Sequence, residues 1–430
     1  MKSLLPFTLF LLLFLGTGIL FTLQGVEFAF YQLPASIAII PAIILAVSMG
    51  SGTVNEKINH FIKGAGHENI ITMCLIYLLA GAFATVAKST GSVDASVQLG
   101  LAMFPDYLLL PGLFLVSAFL ATAMGTSMGT IAAIAPIALG FVEATDLNAG
   151  LIAGVIMSGA IFGDNLSIIS DTTIASTRSQ GAQMKDKFKA NFKIAVPAAI
   201  ICLVLFTLLA EPISHQASTD IAITGLLPYL LILLLALLGV NVFIVLLVGI
   251  INAAAIGFIT NGYQLTLWLS DINQGFSAMQ DIFILALFIG GLSELVKRQG
   301  GLAALTKAIA NITHKLVKNS AGQNNKMAAG IGIGGLAFFS NFFTANNTVA
   351  IIISGETAKE LAEEGKLKPA QSASLLDIFA CINQGLIPYG AQALLLGATM
   401  KISPVDVVLH AYYPMVLLLV VLVGFKKMIK

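Results

Sequence analysis

Charge is scarce in this chain. Asp, Glu, Lys and Arg make up 10% of the 430 residues and 57% are hydrophobic, against roughly 25% charged in an ordinary soluble domain. That balance excludes a soluble enzyme and leaves a polytopic, all-α membrane protein. The few charges also nearly cancel, 22 Lys and Arg against 21 Asp and Glu for a net +1, so no global field draws in nucleic acid or another polyanion. Cysteine is rarer still. Cys74, Cys202 and Cys381 each sit inside an apolar run with no CxxC or Cys/His spacing, which reads as small core residues and not as redox or metal ligands. The five histidines, His60, His67, His215, His314 and His410, fall in connections or at segment ends. That argues against a zinc site and against a Ser/His intramembrane protease; no cofactor and no enzymatic activity are expected.

What remains is a long series of apolar segments. Leu4 to Leu23 is twenty residues without a charge, too long for a signal-peptide core and followed by no Ala-x-Ala site, so it is taken as the first membrane helix. Orientation follows from the basic residues. Lys57 and Lys63, then Arg178, Lys185, Lys187 and Lys189, then Lys297 to Lys326, then Lys426, Lys427 and Lys430 mark four connections that the positive-inside rule places in the cytoplasm. The connections around 211–220 and 262–279 carry Glu211, Asp220 and Asp271 and no basic residue, and are expected outside, with Tyr263 and Trp268 as interfacial anchors. Both termini are then cytoplasmic, in a multi-pass protein of the cytoplasmic (inner) membrane. Arg178 to Lys193 reads as a cytoplasmic surface connector.

The two halves resemble each other. Gly81, Lys88 and Gly91 match Gly290, Lys297 and Gly300 at a constant spacing of 209, and Thr126 and Thr130 match Thr344 and Thr348 at 218. Leu166 falls near Leu386 in the same order. The charge assignment runs 70–87 outward and 280–296 inward, so the repeats are inverted, as many secondary transporters require. The expected division is 1–69 as N-terminal membrane helices, 70–210 as the first repeat, 211–279 as connecting helices and 280–430 as the second repeat.

Four polar breaks interrupt spanning-length material: Gly125 to Thr130, Gly163 to Thr173, Ser340 to Thr348 and Asn383 to Gly390. Freed backbone at membrane depth is tolerated only where it lines a protein cavity. Two breaks per half in corresponding positions therefore point to a midplane site built from broken helices and re-entrant hairpins. The second break carries the charges. A carboxylate at that depth costs several kcal/mol unless it meets a cation, a proton or a donor, and Asp164 and Asp171, among Asn165, Ser167, Ser170, Thr172 and Thr173, form the candidate ion and proton site. In an unbroken helix the two acids would stand ~10.5 Å apart, so either the backbone opens between them or they do separate jobs. Carboxylate with Ser, Thr and Asn oxygens is a hard-ligand set suited to Na⁺ at Asp164 and Asp171. Thr126, Ser127, Thr130, Thr344, Asn346, Asn347, Thr348, Asn383 and Gln384 are expected to line the cavity, with Asp377, seven residues before Gln384, as a further candidate.

At these residues a family likeness appears. Gly163-Asp164-Asn165-Leu166-Ser167-Ile168-Ile169-Ser170-Asp171-Thr172-Thr173 closely resembles the Gly-Asp-Lys-Leu-Ser-Pro-Leu-Ser-Asp-Thr-Thr motif of the NhaC family of sodium/proton antiporters, with Asn165 where lysine is common and Ile168 where proline is common. The resemblance implies two inverted repeats, a homodimer and an elevator-like movement of a transport domain against a scaffold. It also implies a choice of cargo, since the family includes carriers of organic acids and amino acids. The expected function is Na⁺/H⁺ exchange across the bilayer, with Na⁺ and H⁺ as the transported ions. The alternative is Na⁺- or H⁺-coupled transport of an amino acid or small carboxylate on the same scaffold, which the amide-rich breaks favour; a channel or intramembrane enzyme is the third reading.

Overall fold

The computed structural model describes residues 2–26, 29–145, 147–212, 222–319 and 323–428. His215, Asp220 and Lys430, and the side chains of Lys426 and Lys427, lie outside the described residues. The regular structure described is helical. In chain order it comprises α1 (Leu5–Leu23), α2 (Ala35–Ala38), α3 (Ile40–Ser48), α4 (Val54–Ala65), α5 (Glu68–Ser89), α6 (Ser92–Met103), α7 (Asp106–Met124) and α8 (Ser127–Ala144). Next come α9 (Ala149–Leu166), α10 (Asp171–Gln180), α11 (Met184–Leu208), α12 (Ile223–Leu237), α13 (Val242–Thr260) and α14 (Leu265–Ala278). The chain closes with α15 (Gln280–Arg298), α16 (Gly301–Lys318), α17 (Gln323–Thr344), α18 (Asn347–Glu364), α19 (Pro369–Leu386), α20 (Ala391–Met400), α21 (Pro404–His410) and α22 (Tyr412–Met428).

Among the described residues eight helices are long and apolar enough to cross a membrane, ten if each bent pair is one span. Their burial pattern inverts that of a soluble protein. Leu12, Leu23, Ile259, Leu419 and Val423 stand exposed, while Ser158, Asn165, Ser170, Asn191, Ser340, Asn341 and Asp377 are buried. Lipid is as apolar as leucine, so it is the polar groups that need the protein interior. α2 and α3 are two short helices separated only at Ile39, with Pro41 in the first turn of α3.

The same order of helices and breaks occurs twice. α5 passes into α6 through Gly91 (φ +75°), and α15 into α16 through Gly300 (φ +75°). α7 breaks from α8 at Gly125 (φ +68°), and α17 from α18 at Ala345 (φ +49°). Residues 167–170 separate α9 from α10 as 387–390 separate α19 from α20. Two close glycine crossings join helices of the first half to helices of the second. A Cβ on Gly81 would stand 2.3 Å from the Gly275 carbonyl oxygen and one on Gly275 2.4 Å from that of Gly81; a Cβ on Gly64 would stand 2.4 Å from the Gly290 oxygen. Only glycine lets α14 lie on α5, and α4 on α15, at that distance. Each half also lends its post-break helix to the other, α10 packing against α18 and α19 while α20 packs against α8. Gln180 bolts the first exchange, its Nε2 donating to the Gly355 carbonyl at 2.8 Å and its Oε1 accepting from Ser372 at 2.7 Å.

The stretch Arg178 to Lys193 is not the surface connector expected of it. α11 begins at Met184, and on that helix Lys187 is 1% exposed and Asn191 fully buried. These two share a face with Ile194, Ala195 and Ala198, whereas Lys185, Lys189 and Lys193 point outward. Tyr263 is likewise buried and not a free interfacial anchor, its hydroxyl donating to Asp271 at 2.5 Å. Burial and that carboxylate together push the phenol up from its ordinary pKa.

Candidate functional site

All four breaks open on one cavity of about 140 Å³. Gly125 to Met128, Ser170 to Thr172, Ala345 to Thr348, and Gln384 with Ala391 and Gln392 line it, with Asn69, Thr72, Met73 and Ile76 of α5 forming one wall. At about 30 Å³ per water in the liquid, the space holds an ion with several waters or a small solute. The N-termini of α8, α10, α18 and α20 all reach it. Two are capped in the same way: Thr126 accepts from the Gly129 amide at 3.4 Å and Asn346 from the Val349 amide at 3.0 Å. Exposed helix N-termini favour negative charge, and the cavity carries two carboxylates.

Asp164, in the last turn of α9, is 7% exposed and accepts a hydrogen bond from Ser127 Oγ at 2.9 Å. That bond ends a directional chain. Asn341 Nδ2 donates to Gln384 Oε1 at 3.3 Å, Gln384 Nε2 to Gln392 Oε1 at 2.6 Å, Gln392 Nε2 to Ser127 Oγ at 3.0 Å, and Ser127 to the acid. Four residues from four helices, three of them in the second half, thus point their donors at one carboxylate of the first. Such chains polarise in one sense and strengthen each other. Among the described residues Asp164 has no salt bridge, although it lies close enough to Lys187 and Asp377 to feel both charges. Asp171 lines the same cavity from the first turn of α10 but is exposed, so the two acids are not equivalent: one is a buried acceptor, the other a charge at the rim.

Of the residues expected in the site, Thr126, Ser127, Asp164, Ser170, Asp171, Thr172, Asn346, Asn347, Thr348 and Gln384 come together around the cavity. Seven do not reach it. Thr130 turns back to the Thr126 carbonyl at 3.1 Å, and Ser167 Oγ donates to the Thr122 carbonyl at 3.0 Å. Thr344 bonds the carbonyls of Ser340 and Asn346 and faces a separate crevice between α15 and α18. Asn383 is 1% exposed, with neither amide atom hydrogen-bonded to any described residue. Asn165 presents its carbonyl and its Oδ1 to Asn191 at 2.9 and 3.2 Å, away from the cavity. Thr173 donates to the Ser167 carbonyl at 2.8 Å and accepts from Lys187 at 2.6 Å. Asp377 is fully buried and paired with Lys187 at 2.7 Å, so it is a matched charge and not a cavity-lining one.

The sequence reading missed Asn69, Thr72, Lys187, Asn191, Asn341 and Gln392. Gln392 was findable, being two residues past Gly390 in the fourth break. Lys187 and Asn191 carried a weaker signal, an i, i+4 pair on the face that continues into the apolar half of α11.

Discontinuous helices meeting at a polar, acid-bearing cavity inside a membrane bundle define a secondary transporter rather than an enzyme. The sequence model of the Na⁺/H⁺ antiporter family matches residues 5–211 and 207–426, and the chain belongs to that family. It is 24% identical, over 92% of its length and 88% of the relative's, to a malate-2H⁺/Na⁺-lactate antiporter of Bacillus subtilis strain 168. To the Na⁺/H⁺ antiporter NhaC of the same strain it is 26% identical over 84% of each chain. Among solved structures, the Alcanivorax borkumensis YdaH transporter aligns over 86% of each chain at 15% identity with a TM-score of 0.42. The chain is thus a multi-span secondary antiporter.

Proposed function

We propose that this antiporter exchanges Na⁺ for H⁺ at Asp164. The supporting observation is the hydrogen-bond chain that delivers four successive donors, from both halves, to a buried acid with no cationic partner of its own. A buried carboxylate left bare is costly. Na⁺ and H⁺ therefore compete for it, and whichever is bound neutralises the site. Exchange follows if the site changes sides only when neutral. Ser170, Thr172 and the rim carboxylate of Asp171 are placed to strip and replace water around the arriving ion, a hard-ligand role.

The cavity runs along the first turns of α5, at Asn69 and Thr72, just after Lys57 and Lys63. By the positive-inside rule this is the cytoplasmic side of the cytoplasmic membrane, which makes the conformation inward-facing with both termini cytoplasmic. In this reading the repeats are inverted and take in α4 and α14 as well as the helices after them. The crossed pairs α4/α15 and α5/α14 form the scaffold of a homodimer, and the exchanged broken helices ride against it as the elevator.

A second reading is favoured by one observation. Asn346, Asn347, Gln384 and Gln392 give the cavity an amide wall, able to bind the carboxylate of an organic cargo. The malate/lactate relative supports the same possibility. Proteoliposomes holding a luminal pH dye separate the two. A Na⁺ gradient alone that drives proton flux, lost in D164N, supports bare-ion exchange; flux that appears only with an added amino acid or carboxylate overturns it in favour of the second reading.

A further inference from the structure

We infer that the protein contains a second monovalent-cation site, outside the cavity, whose occupant is its own Lys187. The ammonium is held by oxygens from three elements: Asp377 Oδ2 of α19 at 2.7 Å, Thr173 Oγ1 of α10 at 2.6 Å and the main-chain carbonyl of Asn165 in α9 at 3.3 Å. The Asn165 carbonyl lies in the last turn of α9, where the helix supplies no partner for it and where the dipole favours positive charge. One carboxylate, one hydroxyl and one freed helix-end carbonyl make a hard-cation ligand set, at the kind of broken helix whose carbonyl end coordinates ions in carriers.

Two further features distinguish it from a plain buried ion pair. Asn191 walls the site, donating to Asp377 Oδ2 at 2.7 Å and to the Asn165 carbonyl at 2.9 Å while accepting from Ser374 at 2.5 Å. The ligands are thereby fixed independently of the lysine. Asp377 Oδ1, on a fully buried side chain, has no hydrogen-bond partner among the described residues, so the site offers one oxygen more than the ammonium uses. Lys187 acts as a tethered cation that supplies permanently what a free ion would supply reversibly. The charges facing it are Asp377 by contact and Asp164 at longer range.

Removing the tether should therefore convert the site to a soluble-cation site. In Lys187→Ala the atoms lost are those of n-propylammonium, which serves with Na⁺ as the probe. The full-length protein, K187A and K187A/D377N are each melted in detergent in choline chloride, NaCl and n-propylammonium chloride. K187A is expected to melt several degrees higher in both test salts than in choline, a rise larger than in the wild type, because a ligand that binds only the folded state stabilises it. The double variant, with no carboxylate, should lose that excess. Equal salt responses in K187A and wild type overturn the inference, as does a K187A that stays aggregated in saturating Na⁺ and n-propylammonium. The readout is the difference between variants and does not depend on Asp164 carrying the transported ion.

Discussion

The two halves of the chain lay down the same helices and interrupt them at the same places, but they fill the interruptions with different chemistry. The first half brings both acids to the cavity, Asp164 and Asp171, with the hydroxyls of Ser127, Ser170 and Thr172 and the one amide of Asn69. The second half brings the amides of Asn346, Asn347, Gln384 and Gln392 with the hydroxyl of Thr348, and no acid. The positions of the backbone breaks are therefore common to the two halves, while charge is not. An ion site needs its carboxylate on one side only, since two facing acids would repel and hold a proton between them. The amides of the second half reach that carboxylate only through Ser127, whose hydroxyl accepts from Gln392 and donates to Asp164.

The largest expected effect falls on the acid itself. Asp164→Asn should abolish Na⁺-driven proton flux in proteoliposomes, because an amide neither binds a proton at working pH nor neutralises Na⁺. Asp171→Asn should reduce apparent Na⁺ affinity by no more than about tenfold, since an exposed charge is screened by water. Equal loss in both would remove the distinction drawn between buried acceptor and rim charge. Ser127→Ala comes next: it deletes a hydrogen bond to a charged group, worth about 1.5–3 kcal/mol, and should lower exchange or shift its pH dependence by roughly ten- to a hundredfold. Gln392→Ala, one link further along, removes a neutral hydrogen bond worth about 1 kcal/mol and should cost severalfold. An effect of Gln392→Ala as large as that of Ser127→Ala would mean that the amide half binds cargo directly.

Much of this was legible in the residues. Spanning segments show as uncharged runs, and the four breaks show because polar residues in such runs have no other tolerable place. The matched spacing of Gly81 and Gly290 picked out two glycines that stand at close helix crossings, where only a small residue fits. Which side of a break faces the cavity was not legible. Thr126 and Thr130 are four residues apart in the same motif, yet Thr130 spends its hydroxyl on its own helix, a choice set by the neighbouring turn. Lys187 was hidden for a different reason. Its neighbours Lys185, Lys189 and Lys193 are exposed, and its partner Asp377 lies 190 residues away in sequence. Composition offers no means of pairing two such charges across a repeat.

The smallest effect bears on the equivalence of the backbones. Gly125 and Ala345 hold the same left-handed turn between paired helices, at φ +68° and +49°, but only one of them is glycine. An L-residue in that region costs about 1–2 kcal/mol, while glycine there gives up about 0.5–1 kcal/mol of unfolded-chain entropy. The terms nearly cancel for Ala345→Gly, which should leave thermal stability unchanged within about 1 kcal/mol or raise it slightly. Gly125→Ala carries the same two backbone terms with their signs reversed. It also drives its Cβ to 2.7 Å from Ile169 Cγ1 and 3.1 Å from the Ile169 carbonyl carbon, so the second break must shift to admit it. A loss of about 1–3 kcal/mol, read as a lower melting temperature in detergent with Ala345→Gly as control, is expected. If Gly125→Ala were as benign as Ala345→Gly, the first turn would not be packed against the ion-site break, and the coupling between the two breaks of the first half would be lost with it.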